Sequence, residues 1–303
     1  MGIWGDIAEV WARFSDARES RPSHTMFTHT LPEFPLPRRV GLPDPLPEVV
    51  IATPCKNAAR FLDSYFALVD ALDYPRDRLH LHVLEGDSGD GTHEAARAAL
   101  DERSGTYAGT RLLKHDTGFD AGAGNRARWE IQLQRRSAIA ACRNRLLASA
   151  METGAGYVLF IDVDMAVIPA NALKLSLSYA APILVANCLQ YAEDEIFARN
   201  AFFYTRRVSD RSARRYAKGG MYPPPRGYFR HYPDFRTPNE IEPLHAVGGT
   251  FLLIRRDVVE AGADFPEKPY QLHIETEGFA LKAADLGFGA FMAPGLIVRH
   301  GPD

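Results

Sequence analysis

The stretch Tyr157-Val158-Leu159-Phe160-Ile161-Asp162-Val163-Asp164-Met165 is an apolar run that stops at two carboxylates. Such a short run of aromatic and β-branched residues is typical of a strand buried on both faces in a parallel sheet. Open α/β sheets bind ligands just beyond the carboxyl ends of their strands. Asp162 and Asp164 would repel each other there unless a cation lies between them, and a hard divalent cation fits best. The stretch therefore predicts either a metal site for the diphosphate of a nucleotide-sugar or a loop with two solvated acids.

The composition limits the class of protein. The chain has 303 residues, 46% of them hydrophobic, and a formal net charge of −3. It is long enough for one large α/β domain, and its charge argues against a general nucleic-acid-binding protein. Cys55, Cys142 and Cys188 fit neither a zinc site nor a disulfide framework, which indicates a reducing compartment. No apolar run approaches the roughly 18 residues that span a bilayer, so we expect a cytoplasmic protein with no transmembrane segment.

Two segments precede the predicted domain. Residues 3–14 carry apolar side chains at helical spacing. They predict a helix that packs on the domain or on a second copy in a homo-oligomer, with peripheral membrane contact as the alternative. Residues 31–47 are rich in proline and predict an extended connector. We therefore divide the chain into residues 1–48, an N-terminal helix and extended segment, and residues 49–303, one folded domain.

Strands and helices alternate from residue 49 onward. Apolar runs predict strands at 49–54, 79–84, 112–113, 157–161, 183–187, 251–254 and 288–298. Periodicity and composition predict helices at 58–72, from 93, and at 137–151, 170–179, 257–262 and 275–286. This alternation predicts an α/β domain with a mostly parallel central sheet flanked by helices. Residues 190–240 lack such regularity, and long segments of this kind are usually functional or disordered.

Asp87 follows the second predicted strand much as Asp162 follows its own. A strand-end acid can accept hydrogen bonds from a base or a ribose. Alternatively, Asp87 and Ser88 cap the helix that follows, as acidic and hydroxyl residues at such turns often do. The local sequence slightly favours the capping role.

Three groups near the end of the chain extend the candidate site. His300 borders Gly301, where backbone can approach a ligand closely. Asp164, His300 and two diphosphate oxygens would suit Mn²⁺, which accepts both oxygen and imidazole ligands. Glu275 and Glu277 open a predicted helix, where acids also favour the macrodipole. One of them could instead face an acceptor hydroxyl as a general base, or steady an oxocarbenium-like sugar.

Basic and aromatic residues are interleaved between Arg199 and Arg236. Such segments can bind single-stranded nucleic acid, or they can bind sugars by stacking and phosphates by arginine forks. The acidic net charge favours the second alternative, or a solvated loop. Arg143, on the helix before the acidic strand, could point at a phosphate or be a solvated surface residue.

Several segments of the predicted domain form an ordered set. They are Ile51-Ala52-Thr53-Pro54 with Lys56-Asn57-Ala58; Asp87-Ser88 with Asp90 and Thr92; residues 141–150; Asp162-Val163-Asp164; Val247-Gly248-Gly249 with residues 251–254; Gly262 with Phe265-Pro266; Glu275-Thr276-Glu277; and His300. In this order and spacing the set resembles the fungal mannan-polymerase α-mannosyltransferases, a family with the GT-A (Rossmann-like) glycosyltransferase fold. The resemblance covers about residues 49–303.

The resemblance implies a metal-dependent transfer of a sugar from a nucleotide donor to a carbohydrate or other hydroxyl acceptor. The family's enzymes use GDP-mannose and retain the anomeric configuration. By this resemblance Asp164 and His300, with Asp162, hold Mn²⁺ (or Mg²⁺), and Glu275 and Glu277 are catalytic on the acceptor side. Contacts to the donor are expected from Thr53, Pro54, Asp87, Arg143, Asp162, Gly248 and Gly249.

Three other functions stay open at this stage. An inverting glycosyltransferase would use Glu277 as base with a UDP-sugar. A sugar nucleotidyltransferase would need a glycine-rich phosphate loop after the first strand, and residues 53–57 contain no glycine. A non-catalytic subunit would bind nucleotide-sugar, or a partner through the N-terminal helix, without transferring sugar.

Overall fold

The computed structural model describes residues 34–122, 128–204 and 239–302, with the short pieces 215, 217–218, 220–221, 230–231 and 237. The helix predicted at 3–14 lies outside these residues. Residues 34–48 run without helix or strand, as predicted for a proline-rich connector. Phe34 and Leu46 pack against the core, and the amide of Val40 donates to the carbonyl of Ser178 at 2.8 Å. The division of the chain at residue 49 stays a prediction.

Within the described residues, nine strands form one mixed sheet. The strands are β1 Val49–Cys55, β2 Leu79–Glu85, β3 Gly109–Lys114, β4 Tyr157–Ile161, β5 Met165–Val167, β6 Ile183–Gln190, β9 Glu242–Leu244, β10 Phe251–Arg255 and β11 Ala290–His300. Two further short strands, β7 Phe203–Tyr204 and β8 Arg230–His231, pair with each other in a separate ribbon.

The order of strands across the sheet is β3-β2-β1-β4-β10-β6-β11-β5, with β9 pairing the first part of β11. The first four are parallel, as the alternating β and α elements predict, and β6 is parallel to β11. β10 is antiparallel to both β4 and β6. One edge of the sheet, which we call the carboxyl edge, therefore holds the ends of β1, β2, β4, β6 and β11 and the beginning of β10.

Helices cover both faces of the sheet. They are α1 Ala59–Asp70, α2 Thr92–Arg103, α3 Trp129–Met151, α4 Ala172–Leu177, α5 Arg256–Glu260 and α6 Glu275–Asp285. Successive residues of β1 point to opposite faces: Val49 and Ile51 join the core beneath α1 and α2, and Val50 and Ala52 join the core beneath α3 and α6. This alternation is the two-residue period of a strand, here apolar on both sides because both faces are covered.

The predicted elements are largely confirmed, although the short strands β5, β7, β8 and β9 were not predicted and two predicted elements differ. The helix predicted from Ser137 begins at Trp129, because its polar first turns hide the helical periodicity. The strand at 251–254 is antiparallel, although the alternation of elements predicted parallel neighbours. β4 is confirmed as a strand buried on both faces, since Val158 to Ile161 are each 0% exposed.

Candidate active site

The two acids of the Asp-x-Asp motif lie in a tight turn between β4 and β5 at the carboxyl edge. The amide of Asp162 donates to the carbonyl of Thr250, at the beginning of β10, at 3.2 Å. The amide of Gly301, just past β11, donates to the carbonyl of Asp164 at 2.8 Å. Neighbouring strands thus hold the turn from both sides, and the two side chains have different partners.

Asp164 meets His300, which arrives from the far end of the chain. The Nε2 atom of His300 lies 3.1 Å from Oδ1 of Asp164, and its Nδ1 lies 2.7 Å from the carbonyl oxygen of Gly301. The ring stacks on Phe197 with centroids 3.7 Å apart. Burial alone would lower the pKa of His300, but the hydrogen bond and charge of Asp164 outweigh it and raise the pKa.

This geometry suits a cation between the two side chains. The carbonyl of Gly301 accepts a hydrogen bond from Nδ1–H, so a neutral His300 presents the lone pair of Nε2 to the Asp164 carboxylate. Two acceptors at 3.1 Å repel unless a proton or a metal ion lies between them. An imidazole nitrogen oriented by a backbone carbonyl, beside a carboxylate oxygen, is a donor set that Mn²⁺ accepts. The residues therefore fit the divalent metal expected from the sequence.

Asp162 is turned to Arg143 instead. Oδ1 of Asp162 accepts a hydrogen bond from Nη2 of Arg143 at 3.0 Å. Burial, together with the negative charges of Asp164 and Glu275, raises the pKa of Asp162 to about 6 despite the opposing charge of Arg143. Among the described residues, no group of three or more His, Cys, Asp or Glu side chains is gathered as a metal site. Two of the three predicted metal ligands, Asp164 and His300, are thus in contact in the structure. The third, Asp162, is hydrogen-bonded to Arg143 instead.

Arg143 is a buried residue that contacts several groups of the site, and it is not a solvated helix residue. Its side chain is 4% exposed, and its guanidinium lies over the rings of Phe160 and Phe265, at 5.0 and 5.7 Å. Besides Asp162, it donates to the carbonyl of Gly249 at 3.4 Å. Its Nε lies 3.0 Å from Oε1 of Glu275, an ion pair whose angle is outside the hydrogen-bonding range.

The glycine pair predicted to contact the donor has a packing role in the structure. A Cβ on Gly249 would lie 2.2 Å from Nη2 of Arg143, so only glycine leaves room for the guanidinium. A Cβ on Gly248 would lie 3.1 Å from Cβ of Ala198. Gly249 therefore contributes to the site by leaving room for the guanidinium of Arg143.

Glu275 and Glu277 are both buried at the start of α6 and both face arginines of α3. Oε1 of Glu277 accepts a hydrogen bond from Nη1 of Arg136 at 3.1 Å. Arg136 precedes Arg143 by two helical turns, which places both on one face of α3. Glu275 has a φ of +58°, an uncommon conformation for a residue other than glycine, and such strain persists where the surroundings enforce it. Arg136 was not among the predicted site residues.

Asp87 supports a neighbouring loop. Its Oδ2 accepts from the amide and the hydroxyl of Thr117, at 2.8 and 2.7 Å, and its Oδ1 accepts from the amide of Gly118 at 3.1 Å. Burial opposes ionisation of Asp87, yet these hydrogen bonds lower its pKa on balance. The favoured capping role is wrong: α2 has Gly91 at its N-cap, and Asp90 accepts from the amide of Thr92 at 3.1 Å.

A polar cleft adjoins this loop at the ends of β1, β2 and β3. It is lined by Lys56, Asn57, Asp87, Ser88, Lys114, Asp116, Gly118, Phe119 and Asp120. Pro54 is partly exposed near it, at the end of β1. Thr53 is fully buried and its hydroxyl contacts that of Tyr65, so its side chain is not presented to a ligand.

The basic and aromatic segment is described in part. Tyr204 donates its amide to Nδ1 of His245 at 2.7 Å, and its hydroxyl contacts Nε2 of His273. The other nitrogen of His273 contacts the carbonyl of Gln271 at 2.6 Å, so this histidine holds its own turn. Many of the arginines between 199 and 236 lie outside the described residues. No helix in the described part of the chain combines the length and apolar character that a membrane span requires.

The sheet, its covering helices and the acid pair at the end of β4 define a glycosyltransferase of the GT-A fold. A solved structure with the same fold is the mannosyltransferase PcManGT from Pyrobaculum calidifontis, in complex with GDP-Man and Mn²⁺. The TM-score is 0.51 at 16% identity, over 89% of this chain and 61% of that one.

The chain belongs to the Anp1 family, whose sequence profile matches residues 45–269. It is 30% identical over 277 residues to the mannan polymerase complex subunit mnn9 of Schizosaccharomyces pombe, covering 84% of this chain and 80% of that subunit. It is 27% identical over 280 residues to the mannan polymerase II complex anp1 subunit of the same organism, covering 84% of this chain and 64% of that one. The resemblance seen in the sequence is thereby confirmed.

Proposed function

We propose that this chain is a retaining mannosyltransferase that moves mannose from GDP-mannose to a carbohydrate hydroxyl and requires Mn²⁺ or Mg²⁺. The observation that carries the proposal is the contact of Asp164 with His300 at 3.1 Å, with Nδ1 of His300 held by a backbone carbonyl. The named complexes of the relatives, and GDP-Man and Mn²⁺ in the neighbouring structure, support the choice of donor and metal.

In this proposal Asp164 and His300 hold the metal, which supplies a Lewis acid that offsets charge on the departing diphosphate. The nucleoside lies in the polar cleft at the ends of β1, β2 and β3, where Lys56 supplies a positive charge. Asp87 shapes that cleft by fixing the backbone of Thr117 and Gly118. Arg143 keeps Asp162 in place between the cleft and the metal pair.

The pairing of both glutamates with arginines favours retention over inversion. An inverting transfer needs a carboxylate that can take the proton of the acceptor hydroxyl. Glu277 accepts a hydrogen bond from Arg136 and Glu275 forms an ion pair with Arg143, so neither carboxylate can turn to an acceptor hydroxyl without giving up its arginine. In a retaining transfer with attack on the face of departure, an oxygen of the leaving phosphate can accept that proton. Glu275 and Glu277 then serve to stabilise positive charge on the sugar.

A thermal-shift series with this chain tests the metal and the donor together. We expect GDP to raise the melting temperature only when Mn²⁺ is present, because ligands that bind the folded state stabilise it by mass action. Ligand at 100 times its Kd would add about 2.7 kcal/mol. UDP and ADP should give smaller shifts.

The variant Asp164→Asn should lose the Mn²⁺-dependent shift and the transfer of mannose to α-mannobiose. Asp73→Asn is the matched control, because Asp73 forms a surface ion pair with Lys174 at 2.8 Å, away from the carboxyl edge. Undiminished transfer by Asp164→Asn would rule out the metal assignment. NMR of the product anomer decides between retention and inversion.

We also propose that the chain works in a complex. Its relatives are named as subunits of mannan polymerase complexes. Size-exclusion chromatography with light scattering, on the chain alone and with a second family member, tests for a homo-oligomer and for a mixed complex. A monomer in both experiments would argue against this proposal.

A further inference from the structure

A cavity of about 180 Å³ opens beyond the ends of β6 and β11, next to the Asp164–His300 pair. It is lined by Gln190, Tyr191, Ala192, Glu193, Phe197, Gly301 and Pro302. Its volume is smaller than that of a typical site for a drug-sized molecule and is too small for a folded partner. Phe197 also stacks on His300, so the cavity adjoins the candidate metal site directly.

Two aromatic side chains in this cavity, Tyr191 and Phe197, form what we call the aromatic platform. Tyr191 is 53% exposed and Phe197 is 37% exposed, so part of each ring is open to a ligand. Ring faces of this kind bury the C–H face of a ligand, and their negative quadrupole attracts polarised hydrogens. Gln190 and Glu193 add amide and carboxylate groups that can bind hydroxyls. Apolar faces beside hydroxyl-binding groups match the chemistry of a pyranose ring.

The loop that carries Tyr191 is fixed in place by one arginine. Nη1 of Arg299 donates to the carbonyls of Gln190 at 3.0 Å and Glu193 at 3.2 Å, and its Nη2 donates to Asp194 at 2.7 Å. Arg299 directly precedes His300, so the same end of β11 supports both the loop and the candidate metal ligand. A surface preorganised in this way loses less conformational entropy when it binds a ligand.

The order of strands decides which sugar the platform binds. The polar cleft proposed for the nucleoside is at the ends of β1, β2 and β3, on one side of β4. His300 of the Asp164–His300 pair ends β11, and the platform adjoins this pair at the ends of β6 and β11, on the other side of β4 from the cleft. A donor that runs from the cleft to the metal pair leaves the platform for the other substrate. We propose that Tyr191 and Phe197 bind a pyranose ring of the acceptor, an inference that rests on the proposed function.

The kinetic test compares Tyr191→Ala with Tyr191→Phe, which keeps the ring. Tyr191→Ala should raise the KM for α-mannobiose by about three- to tenfold, and Tyr191→Phe should stay near the parent value. Donor hydrolysis without acceptor should keep its KM for GDP-mannose in both variants. Leu286→Ala, which truncates an exposed apolar side chain at the end of α6, is the control for a general surface effect.

Saturation-transfer NMR with α-mannobiose provides a readout that does not depend on transfer. The parent protein should show sugar signals both with and without GDP and Mn²⁺, and Tyr191→Ala should lose them. If no transfer is detected in any variant, the proposed function fails, and the NMR result alone supports or overturns the platform. An unchanged sugar signal in Tyr191→Ala, an unchanged acceptor KM, or a rise in the KM for donor instead would overturn it.

Discussion

Replacing Gly249 with alanine should destabilise the protein through Arg143. The new Cβ would lie 2.2 Å from Nη2 and 2.7 Å from Cζ of Arg143, well inside contact distance. The guanidinium cannot move aside freely, because it lies over the rings of Phe160 and Phe265 and its side chain is 4% exposed. We therefore expect it to leave its hydrogen bond with Asp162.

The expected size of the effect follows from two contributions. Forcing a methyl group into a packed interior costs about 1–3 kcal/mol. Removing the partner of a buried ion pair costs about 3–5 kcal/mol, and we expect the lower end or less because Asp162 keeps 27% of its side chain exposed. A total of about 3 kcal/mol corresponds to a fall in Tm of roughly 6–12 °C for a domain of this size.

Urea unfolding at neutral pH measures this loss. Gly295→Ala is the matched control, since a Cβ on Gly295, in β11, meets no atom within 4 Å. The penalty of Gly249→Ala should shrink in an Arg143→Met background, because the flexible methionine can give way, and the difference is the coupling between the two sites. Equal penalties in both backgrounds, or a Gly249→Ala variant as stable as Gly295→Ala, would refute the reasoning.

Two further predictions concern the pH dependence and the second arginine of α3. Burial lowers the pKa of His82 to about 4. Between pH 6.5 and 4, His82 is therefore protonated in the unfolded chain but neutral in the folded protein. The free energy of unfolding should therefore fall by about 2–3 kcal/mol between pH 7 and 4.5 because of His82. In urea unfolding, the free energy of unfolding of His82→Asn should fall over the same pH range by that much less than the free energy of the parent. Arg136→Met should lower kcat about tenfold with little change in the KM for GDP-mannose, because Arg136 orients Glu277, and Arg136→Lys should recover part of the rate. Full activity in Arg136→Met would contradict the positioning role.

The sequence predicts the frame of this fold because apolar period and turn chemistry are local properties. The run from Tyr157 to Ile161 predicts a strand buried on both faces, and that strand delivers Asp162 and Asp164 to the carboxyl edge. The direction of a strand is not a local property. The run from Phe251 to Ile254 has the same apolar character in either direction, so its antiparallel pairing with β4 and β6 follows only from the tertiary structure.

The partners of the site residues are harder to predict because they depend on contacts distant in sequence. Arg143 bears the features of an exposed helix residue, yet it contacts Asp162, Gly249 and Glu275. A glycine beside a strand indicates that another group can approach the backbone closely, and Gly249 carries this signal in the sequence. Arg136 lies seven positions before Arg143, so a predicted helix that began before Ser137 would have placed both arginines on one face.

The reversed direction of β10 has a consequence for how such enzymes diversify. Because β6 ends and β10 begins at the carboxyl edge, the chain leaves this edge after β6 and returns to it at β10, and β9 is the strand of the central sheet described within this excursion. Insertions or exchanges within that excursion that spare β9 need not alter the pairing of any other strand in the central sheet. Substitutions there can therefore reshape the surface beside the Asp164–His300 pair while the strands that carry the pair stay the same.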